Sequence, residues 1–275
     1  MSSALLPSSV APTVPQGRFW ALVPCAGIGA RAVDPRAPDA ALPKQYQPIA
    51  GQPMVLHTLA ALAGVSRLSG ILVAVAPGDD FLRAHAHPAF FPVACGGPTR
   101  ADTVLGGLRA LRERGAGLQD WVLVHDAARC LVTPEQVDRL IDVCAGDGVG
   151  GLLAHKVADT LKTSTEGPGG IRVASTVDRS DKWLAQTPQM FRLGPLTAAL
   201  EQVGASATDE ASAMEAMGLH PRLVPGGAQN FKITYPEDFA LATAVLAQRA
   251  HGATLERFGG DRGRGAALNA KKTIF

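Results

Sequence analysis

Short apolar segments alternate with longer segments in which apolar residues recur every three or four positions. This alternation is typical of a parallel sheet covered by helices, because each strand is followed by a helical crossover to the next. The pattern predicts strands at residues 19–23, 71–76, 93–95, 121–125, 151–154 and 231–234. It predicts helices at residues 54–63, 101–114, 134–144, 195–203, 209–217 and 236–248. Together these elements make one α/β domain.

Residues 155–190 depart from this alternation. They are polar and rich in threonine on both sides of Glu166-Gly167-Pro168-Gly169-Gly170, a sequence that favours a turn. The pattern predicts two extended segments joined as a hairpin arm. Because an isolated two-stranded hairpin is marginally stable in water, we expect the arm to pack on another surface, and a second copy of the chain is the simplest partner.

The two ends of the chain differ in composition from the region between them. Residues 1–17 are rich in serine and proline and carry no basic residue ahead of a continuous apolar stretch. We therefore expect a disordered leader there and not a secretory signal. Residues 252–275 are rich in glycine and basic residues, and we expect a flexible basic tail without a nucleic-acid role. The folded domain is predicted over residues 18–251.

Composition narrows the classes of protein further. The chain has 275 residues, 47% of them apolar and 18% charged, enough for a core that hides roughly three quarters of the extended chain's surface. The formal charge of +2 argues against a general attraction to nucleic acid or to anionic membranes. No apolar run reaches the ~18 residues that cross a bilayer. Four cysteines without CxxC or metal-type spacing favour a reducing, cytoplasmic location.

The first predicted strand runs into a loop of small residues, Pro24-Cys25-Ala26-Gly27-Ile28-Gly29-Ala30-Arg31. In open α/β sheets ligands bind where the strands end. Small residues let backbone N–H groups approach a phosphate, and Arg31 adds a cation with a planar set of donors. Lys44 follows a loop rich in proline, aspartate and alanine that can fold back toward Arg31. Two cations beside an anion-binding loop suit a reaction in which charge builds on a phosphate.

The same loop permits two other interpretations. Gly27-x-Gly29-x-x-Ala32 also fits the dinucleotide-binding pattern of oxidoreductases. Against hydride transfer, Pro35, Pro38 and Pro43 interrupt the helix that this pattern requires, and the expected acidic residue about twenty positions further on is missing. A glycine-rich turn is also, in many proteins, a tight connection that binds no ligand.

Nine short motifs follow one another along residues 19–248. They are Pro24-x-Ala26-Gly27-x-Gly29-x-Arg31, Pro43-Lys44-Gln45-Tyr46, Arg100-Ala101-Asp102-Thr103-Val104, Val124-His125-Asp126-Ala127-Ala128-Arg129, Asp159-Thr160-Leu161-Lys162, Thr176-Val177-Asp178-Arg179, Thr187-Pro188-Gln189, Thr208-Asp209-Glu210-Ala211-Ser212 and Lys232-Ile233-Thr234-x-Pro236-Glu237-Asp238. The ordered set resembles that of the 2-C-methyl-D-erythritol 4-phosphate cytidylyltransferase family. The resemblance implies a single Rossmann-like nucleotidyltransferase domain with a mostly parallel twisted sheet and a protruding β-hairpin arm. It also implies transfer of CMP from CTP to methylerythritol 4-phosphate, with release of pyrophosphate, in the non-mevalonate route to isoprenoids.

The resemblance also implies roles for individual residues. Arg31 and Lys44 match the pair that stabilises charge on the α-phosphate during in-line attack. The CTP-binding positions match Ala26, Gly27, Gly96, Gly97, Thr103, Asp126 and Ala127. Asp126 also matches a carboxylate that would hold Mg²⁺ or another divalent cation against the triphosphate. The acceptor-binding positions match Asp126, Thr160, Arg179 and Lys232. Thr160 and Arg179 lie in the arm, which in the family reaches over the neighbouring subunit's site, so a homodimer is implied.

Three departures from the family pattern accompany these matches. The segment between Arg31 and Lys44 is longer than expected, Pro98 replaces a common acidic residue, and Cys130 stands where proline usually ends the motif around Asp126. Outside the matched roles, we expect His125 to be a packed histidine and Asp209-Glu210 to cap a helix.

Two alternatives remain open within the resemblance. Ribitol 5-phosphate cytidylyltransferases are similar and differ in their acceptor. A non-catalytic nucleotide-binding assembly protein would keep the same fold and use the arm for association. The joint presence of Arg31, Lys44, Asp126 and Lys232 speaks against that second alternative.

Overall fold

The computed structural model describes residues 17–27, 29 and 42–258, with side chains up to residue 251. Within these residues there are eleven strands: β1 Phe19–Pro24, β2 Pro48–Ile49, β3 Gln52–Pro53, β4 Leu68–Ala74, β5 Phe90–Val93, β6 Trp121–Val124, β7 Gly150–Lys156, β8 Leu161–Gly167, β9 Gly170–Val177, β10 Trp183–Arg192 and β11 Arg222–Pro225. Six α-helices accompany them: α1 Met54–Ala63, α2 Arg100–Glu113, α3 Pro134–Cys144, α4 Leu193–Val203, α5 Glu210–Ala216 and α6 Glu237–Phe258. Short 3₁₀ helices span Lys44–Tyr46, Phe81–His85 and Gly204–Ser206.

Seven of these strands form one sheet in the order β11-β7-β10-β6-β1-β4-β5. Every pairing in this sheet is parallel except the two made by β10, which runs antiparallel to both β6 and β7. The carboxyl ends of β1, β4, β5 and β6 therefore meet at one edge of the sheet, where ligands bind in open α/β folds. The predicted α/β class and mostly parallel sheet are confirmed.

Helices cover both faces of the sheet because side chains alternate along each strand. In β1, Ala21 and Val23 face a buried cluster that includes residues of α1 and α3. Trp20 and Leu22 face the opposite cluster, which includes residues of α2, α4 and α5. The core is thus a three-layer arrangement with the sheet in the middle.

Local signals explain why two helices begin where the sequence predicts. Thr133 caps α3 by accepting a hydrogen bond from the Gln136 backbone, and the Gln136 side chain accepts one from the Thr133 backbone. Pro134 occupies the first helical position, where its missing N–H has no intrahelical partner to lose. A second capping box, Thr99 with Asp102, starts α2. This box fixes the helix whose N-terminus faces the site described below.

One predicted strand is wrong. Residues 231–234 are not a strand, and the sheet ends instead at β11. Ile233 is fully buried in a small cluster that includes Met54 and Ala242, and its backbone N–H donates to Ala128 O at 2.9 Å. The apolar residues of this segment therefore pack against the loop after β6 and beneath α6.

The predicted arm contains a hairpin, as expected, but its flanks belong to the main sheet. β8 and β9 pair antiparallel with each other, while β7 extends to Lys156 and β10 begins at Trp183. Ile171 and Val173 of β9 are 74% and 64% exposed. The hairpin thus carries apolar side chains that nothing in the described part of this single chain covers.

The ends of the chain are described only in part. The predicted leader lies outside the described residues up to residue 16, and the predicted tail lies outside them from residue 259. α6 continues past residue 248, where its end was predicted, to Phe258. In the described part of the chain no helix is long and apolar enough to cross a bilayer.

Candidate active site

A cleft of about 230 Å³ opens at the carboxyl ends of β1, β5 and β6. It brings together residues from widely separated motifs of the sequence. Of the predicted site residues, those that line it are Ala26, Gly27, Lys44, Gly97, Thr103, Asp126, Ala127 and Lys232. Most of the predicted nucleotide-binding residues and two of the predicted acceptor-binding residues, Asp126 and Lys232, thus meet in this cleft.

The loop after β1 packs closely on the segment after β5. A Cβ atom on Gly96 would collide with the Ala26 side chain, and the Gly96 N–H donates to Val75 O at 2.9 Å. Gly96 therefore lies directly behind the cleft wall, and glycine is required there because any side chain would push the two loops apart. This close approach keeps the backbone of both loops available to a ligand.

The N-terminus of α2 forms the next part of the wall. Gly97 N–H donates to Thr103 Oγ1 at 3.1 Å, and the Thr103 hydroxyl donates to Thr99 O at 3.0 Å. These bonds fold residues 97–99 onto the first turn of the helix. A helix N-terminus carries partial positive charge, so this wall favours an anionic ligand.

Lys44 reaches the cleft from the 3₁₀ helix Lys44–Tyr46. Its Nζ donates to Ile233 O at 2.7 Å. Gly29 has a φ of +63°, and a Cβ there would lie 2.5 Å from the Lys44 Cβ, so this glycine allows the loop and the lysine to touch. The predicted return of Lys44 to the glycine loop is therefore observed. Arg31 lies outside the described residues.

Two neighbours of Lys44 anchor this turn. The Gln45 side chain donates to Cys25 O at 3.0 Å, and the Tyr46 hydroxyl donates to Asp79 Oδ2 at 2.6 Å. Burial raises the pKa of Tyr46, so its hydroxyl remains a donor. The lysine is thus carried by a turn bonded both to the end of β1 and to the loop after β4.

Asp126, directly after β6, is the electrostatic centre of the cleft. Its Oδ1 lies 3.0 Å from Arg100 Nε and its Oδ2 lies 2.8 Å from Lys232 Nζ. Burial opposes ionisation, but the charges of Arg100 and Lys232 outweigh it and hold the pKa of the carboxyl well below its usual range. Asp126 is therefore a carboxylate at any physiological pH.

Arg100 connects Asp126 to a second carboxylate. Its Nη1 and Nη2 contact Glu210 Oε1 and Oε2 at 2.7 and 3.0 Å. Burial alone would lower the pKa of this guanidinium, and the two carboxylates raise it. Neither Arg100 nor Glu210 was assigned a site role from the sequence.

His125 is a packed histidine, as expected. Its Nε2 lies 3.1 Å from Arg129 O, which can only accept, so Nε2 carries the proton and Nδ1 accepts from Thr187 Oγ1 at 2.9 Å. Thr187 Oγ1 in turn accepts from the Asp126 backbone N–H at 3.0 Å. Burial lowers the pKa of His125 to about 4. A neutral imidazole thus fixes the backbone of Asp126.

Two predicted acceptor-binding residues lie apart from this cleft. Thr160 and Arg179 are exposed at the base of the hairpin and do not line this cleft. Arg129 braces the loop after β6 by donating to Asn230 O at 2.8 Å and to Ala185 O at 3.1 Å.

The cleft offers few oxygen ligands to a metal ion. The described residues contain no cluster of three or more histidine, cysteine, aspartate or glutamate side chains that could hold one. Asp126 alone fits the mode in which Mg²⁺ is bound by one carboxylate together with substrate phosphates. Cys25 also lines the cleft, but burial raises the pKa of its thiol to about 12, so it is not a nucleophile.

The strand ends of the mostly parallel sheet carry a glycine loop, a helix N-terminus and a lysine–carboxylate cluster. This combination is that of an α/β nucleotidyltransferase. The family model described as IspD, 2-C-methyl-D-erythritol 4-phosphate cytidylyltransferase, matches residues 19–248. The chain belongs to this family and is a cytidylyltransferase of isoprenoid biosynthesis that uses CTP. The resemblance seen in the nine motifs is thereby confirmed.

Individual relatives agree with this assignment. The chain is 58% identical over 251 residues to the bifunctional enzyme IspD/IspF of Albidiferax ferrireducens, covering 90% of this chain and 57% of that protein. It therefore spans little more than half the length of that relative. It is 52% identical over 228 residues to the 2-C-methyl-D-erythritol 4-phosphate cytidylyltransferase of Bordetella petrii, covering 80% of this chain and 95% of that one.

Solved structures share the fold. A crystal structure of 4-diphosphocytidyl-2C-methyl-D-erythritol synthase matches with a TM-score of 0.72 and 38% identity, covering 85% of this chain and 100% of that one. The Francisella tularensis 2-C-methyl-D-erythritol 4-phosphate cytidylyltransferase matches with a TM-score of 0.67 and 31% identity, covering 82% and 98%.

Proposed function

We propose that the phosphate of methylerythritol 4-phosphate attacks the α-phosphate of CTP in line within this cleft. The products are 4-diphosphocytidyl-2-C-methyl-D-erythritol and pyrophosphate, with no covalent enzyme intermediate. The observation that carries the proposal is the convergence of Lys44, Asp126 and Lys232 at one cleft in a chain that matches the family over residues 19–248. An attacking phosphate is already ionised near neutral pH, so the reaction needs charge stabilisation more than a base.

The nucleotide occupies the side of the cleft formed by the glycine loop and the start of α2. Backbone groups of Ala26, Gly27 and Gly97, together with Thr103 and Ala127, contact CTP, and Gly96 shapes the wall behind them. Lys44, with Arg31, stabilises the charge that builds on the α-phosphate. A preorganised cation of this kind stabilises the transition state more than the ground state.

The acceptor's phosphate binds beside Asp126 and Lys232. The Lys232 side chain is 40% exposed and ends on Asp126, so it can turn toward an incoming phosphate. Thr160 and Arg179 complete the acceptor site from a second subunit. Their exposed position at the base of the hairpin, and the uncovered apolar residues of β9, support such a homodimer.

Asp126 would hold a divalent cation, Mg²⁺ in the first place, that arrives with the triphosphate. When bound, the ion neutralises phosphate oxygens and favours departure of pyrophosphate. The four free cysteines, three of them buried, support a reducing cytoplasmic location. We propose no nucleic-acid or membrane partner.

The decisive experiment measures pyrophosphate release with CTP, Mg²⁺ and either of two acceptors. We expect release with methylerythritol 4-phosphate and at most a small fraction of it with ribitol 5-phosphate, because the relatives reported above carry the methylerythritol name. Reactions without acceptor give the background. A preference for ribitol 5-phosphate, or turnover with neither acceptor, would overturn the proposal.

The same assay tests Lys44. Lys44→Ala removes a cation from the reacting phosphate, and loss of one such donor lowers turnover by about 10²–10³-fold. Arg67→Ala, which removes an exposed cation paired with Asp142 on the helical surface, serves as the control and should keep wild-type turnover. Wild-type turnover in well-folded Lys44→Ala would contradict the role of this lysine.

A further inference from the structure

Glu210 is buried at a position where the sequence predicts a helix cap. The cap itself is the preceding residue, Asp209, whose Oδ1 accepts from Ser212 N at 2.8 Å at the start of α5. Glu210 is fully buried and its side chain points away from the cap toward Arg100. A carboxylate removed from water is unfavourable unless it is paired, so its position requires that partner.

The contact between Glu210 and Arg100 uses both oxygens and both terminal nitrogens, at 2.7 and 3.0 Å. This leaves Arg100 Nε, which lies 3.0 Å from Asp126 Oδ1. Because the guanidinium is planar and its donors are fixed relative to one another, holding the two terminal nitrogens also fixes the direction of Nε. The orientation of Asp126 thus depends on a residue that does not line the cleft.

We infer that Glu210 is a positioning residue for cytidylyl transfer, acting through Arg100 to fix the orientation of Asp126. The inference rests on the proposed function of the cleft. Asp126 has a fixed partner on Oδ1, Arg100, and an adaptable partner on Oδ2, Lys232, whose side chain is 40% exposed. Arg129 adds a longer contact, with its Nε 4.0 Å from Oδ2. Lys232 can turn to the acceptor's phosphate because Asp126 keeps its bond to Arg100 when it does so.

Glu210 also limits the way in which Arg100 can contact the nucleotide. Arg100 lines the cleft, and free terminal nitrogens on that guanidinium would make a bidentate phosphate ligand. With Glu210 in place, the edge of the guanidinium that carries both terminal nitrogens is already paired with a carboxylate, so a phosphate cannot take that edge. Removing the Glu210 charge is therefore expected to lower the rate of transfer without weakening the binding of CTP.

The first test is Glu210→Gln, which is close in shape to glutamate and removes one charge. We expect kcat to fall about 10–100-fold, as for other groups that orient a site residue, while KM for CTP rises by no more than about 2-fold. Glu201→Gln is the matched control. It breaks an exposed ion pair, 2.9 Å long, between Glu201 and Arg109, which lies in α2 as Arg100 does. Wild-type kcat in Glu210→Gln would overturn the inference.

A double-mutant cycle asks whether Glu210 acts through Asp126. In an Asp126→Asn background, Glu210→Gln should lower kcat further by less than about 3-fold, because its target is already altered. An equal loss in both backgrounds would show independent action and contradict the inference.

A second variant, Arg100→Lys, serves if Glu210→Gln does not fold, which the absence of a cooperative unfolding transition would show. It keeps the positive charge and removes the planar guanidinium. We expect the same fall in kcat there, and wild-type kcat would again overturn the inference.

These outcomes separate the inference from the proposed function. A wild-type chain that releases no pyrophosphate with either acceptor would overturn both. An active wild-type chain whose Glu210→Gln and Arg100→Lys variants are unaffected would overturn only the inference.

Discussion

Lys44 and Lys232 are connected through the backbone of one short segment. Lys44 Nζ donates to Ile233 O at 2.7 Å, and Ile233 is the residue next to Lys232, whose Nζ pairs with Asp126 at 2.8 Å. Ile233 is fully buried, so this carbonyl is well fixed. One anchored backbone position therefore sets the distance between the two lysines that the proposed reaction requires.

The lowered pKa of His125 should make the stability of the fold depend on pH. Its folded-state pKa is about 4, against an ordinary value of 6.5, because burial disfavours its charged form. Below pH 6.5 the unfolded chain binds this proton and the folded chain does not, so stability falls as the pH falls toward 4. The loss attributable to this group is on the order of 3 kcal/mol at the acid end.

Urea unfolding between pH 7.5 and 4.5 measures this loss. His125→Gln should be less stable at pH 7.5, because it disturbs the chain of hydrogen bonds to Asp126, but its free energy of unfolding should change less with pH. The Asp126 carboxyl contributes little in this window, because its pKa lies below the window both in the folded chain and, at the ordinary aspartate value, in the unfolded chain. A pH dependence identical to that of the wild type would show that His125 is not the titrating group.

Some residues of the site can be predicted from the sequence and others cannot. Lys44, Asp126 and Lys232 stand in short motifs whose chemistry can be recognised locally. Glu210 stands beside a helix cap and looks like an acidic residue of a first turn, because the sequence does not show that its partner Arg100 lies 110 positions away. Its burial, which excludes a simple surface role, exists only once α2 and α5 are packed.

The 3₁₀ helix Lys44–Tyr46 is a very short support for the lysine that the proposed reaction places at the α-phosphate. Three residues cannot fix a side chain by their own helical hydrogen bonds. Here the ring of Tyr46 stacks on Phe81 at 4.0 Å and its hydroxyl donates to Asp79. These contacts tie the turn to the loop after β4, which in turn belongs to the rigid sheet.

Tyr46→Phe tests this support. The variant keeps the stacked ring and leaves one oxygen of the partly buried Asp79 without its donor, so stability should fall by about 1 kcal/mol. We expect kcat to fall several-fold because Lys44 is less well placed. Tyr235→Phe is the matched control, since Tyr235 is 52% exposed, and should change neither quantity. Unchanged kcat and melting temperature in Tyr46→Phe would show that the hydroxyl does not support the turn.

Elements with strong local signals were predicted with accurate bounds. α1 begins and ends where its apolar periodicity indicates, and α3 begins where Thr133 and Pro134 add a cap and a first-turn proline. β10 was missed because its first residues are exposed and adjoin the polar arm, and its place between β6 and β7 depends on long-range pairing. β11 was missed because it is four residues long, with one of them buried.

The hairpin of β8 and β9 is a two-stranded sheet separate from the main sheet. Such a sheet needs a further surface to be stable. The proposed homodimer supplies one, and it places Arg179 of each subunit at the cleft of the other.

Mixed dimers test this arrangement. Lys44→Ala and Arg179→Ala should each be nearly inactive alone. When the two variants are co-expressed, a dimer containing one of each has one cleft with its own Lys44 and an intact Arg179 from its partner. Random pairing should therefore restore about a quarter of wild-type activity. Sites built from a single subunit would give no restoration, and that result would contradict the shared site.

A crystal structure with bound CTP and Mg²⁺ tests the central claim most directly, namely that this cleft is where the phosphate transfer occurs. We expect the base against the segment at Gly96, Gly97 and Thr103, and the α-phosphate within about 3 Å of Lys44 Nζ, the length of a charged hydrogen bond. CTP bound elsewhere on the chain, or in the cleft with its α-phosphate out of reach of Lys44, would contradict the account.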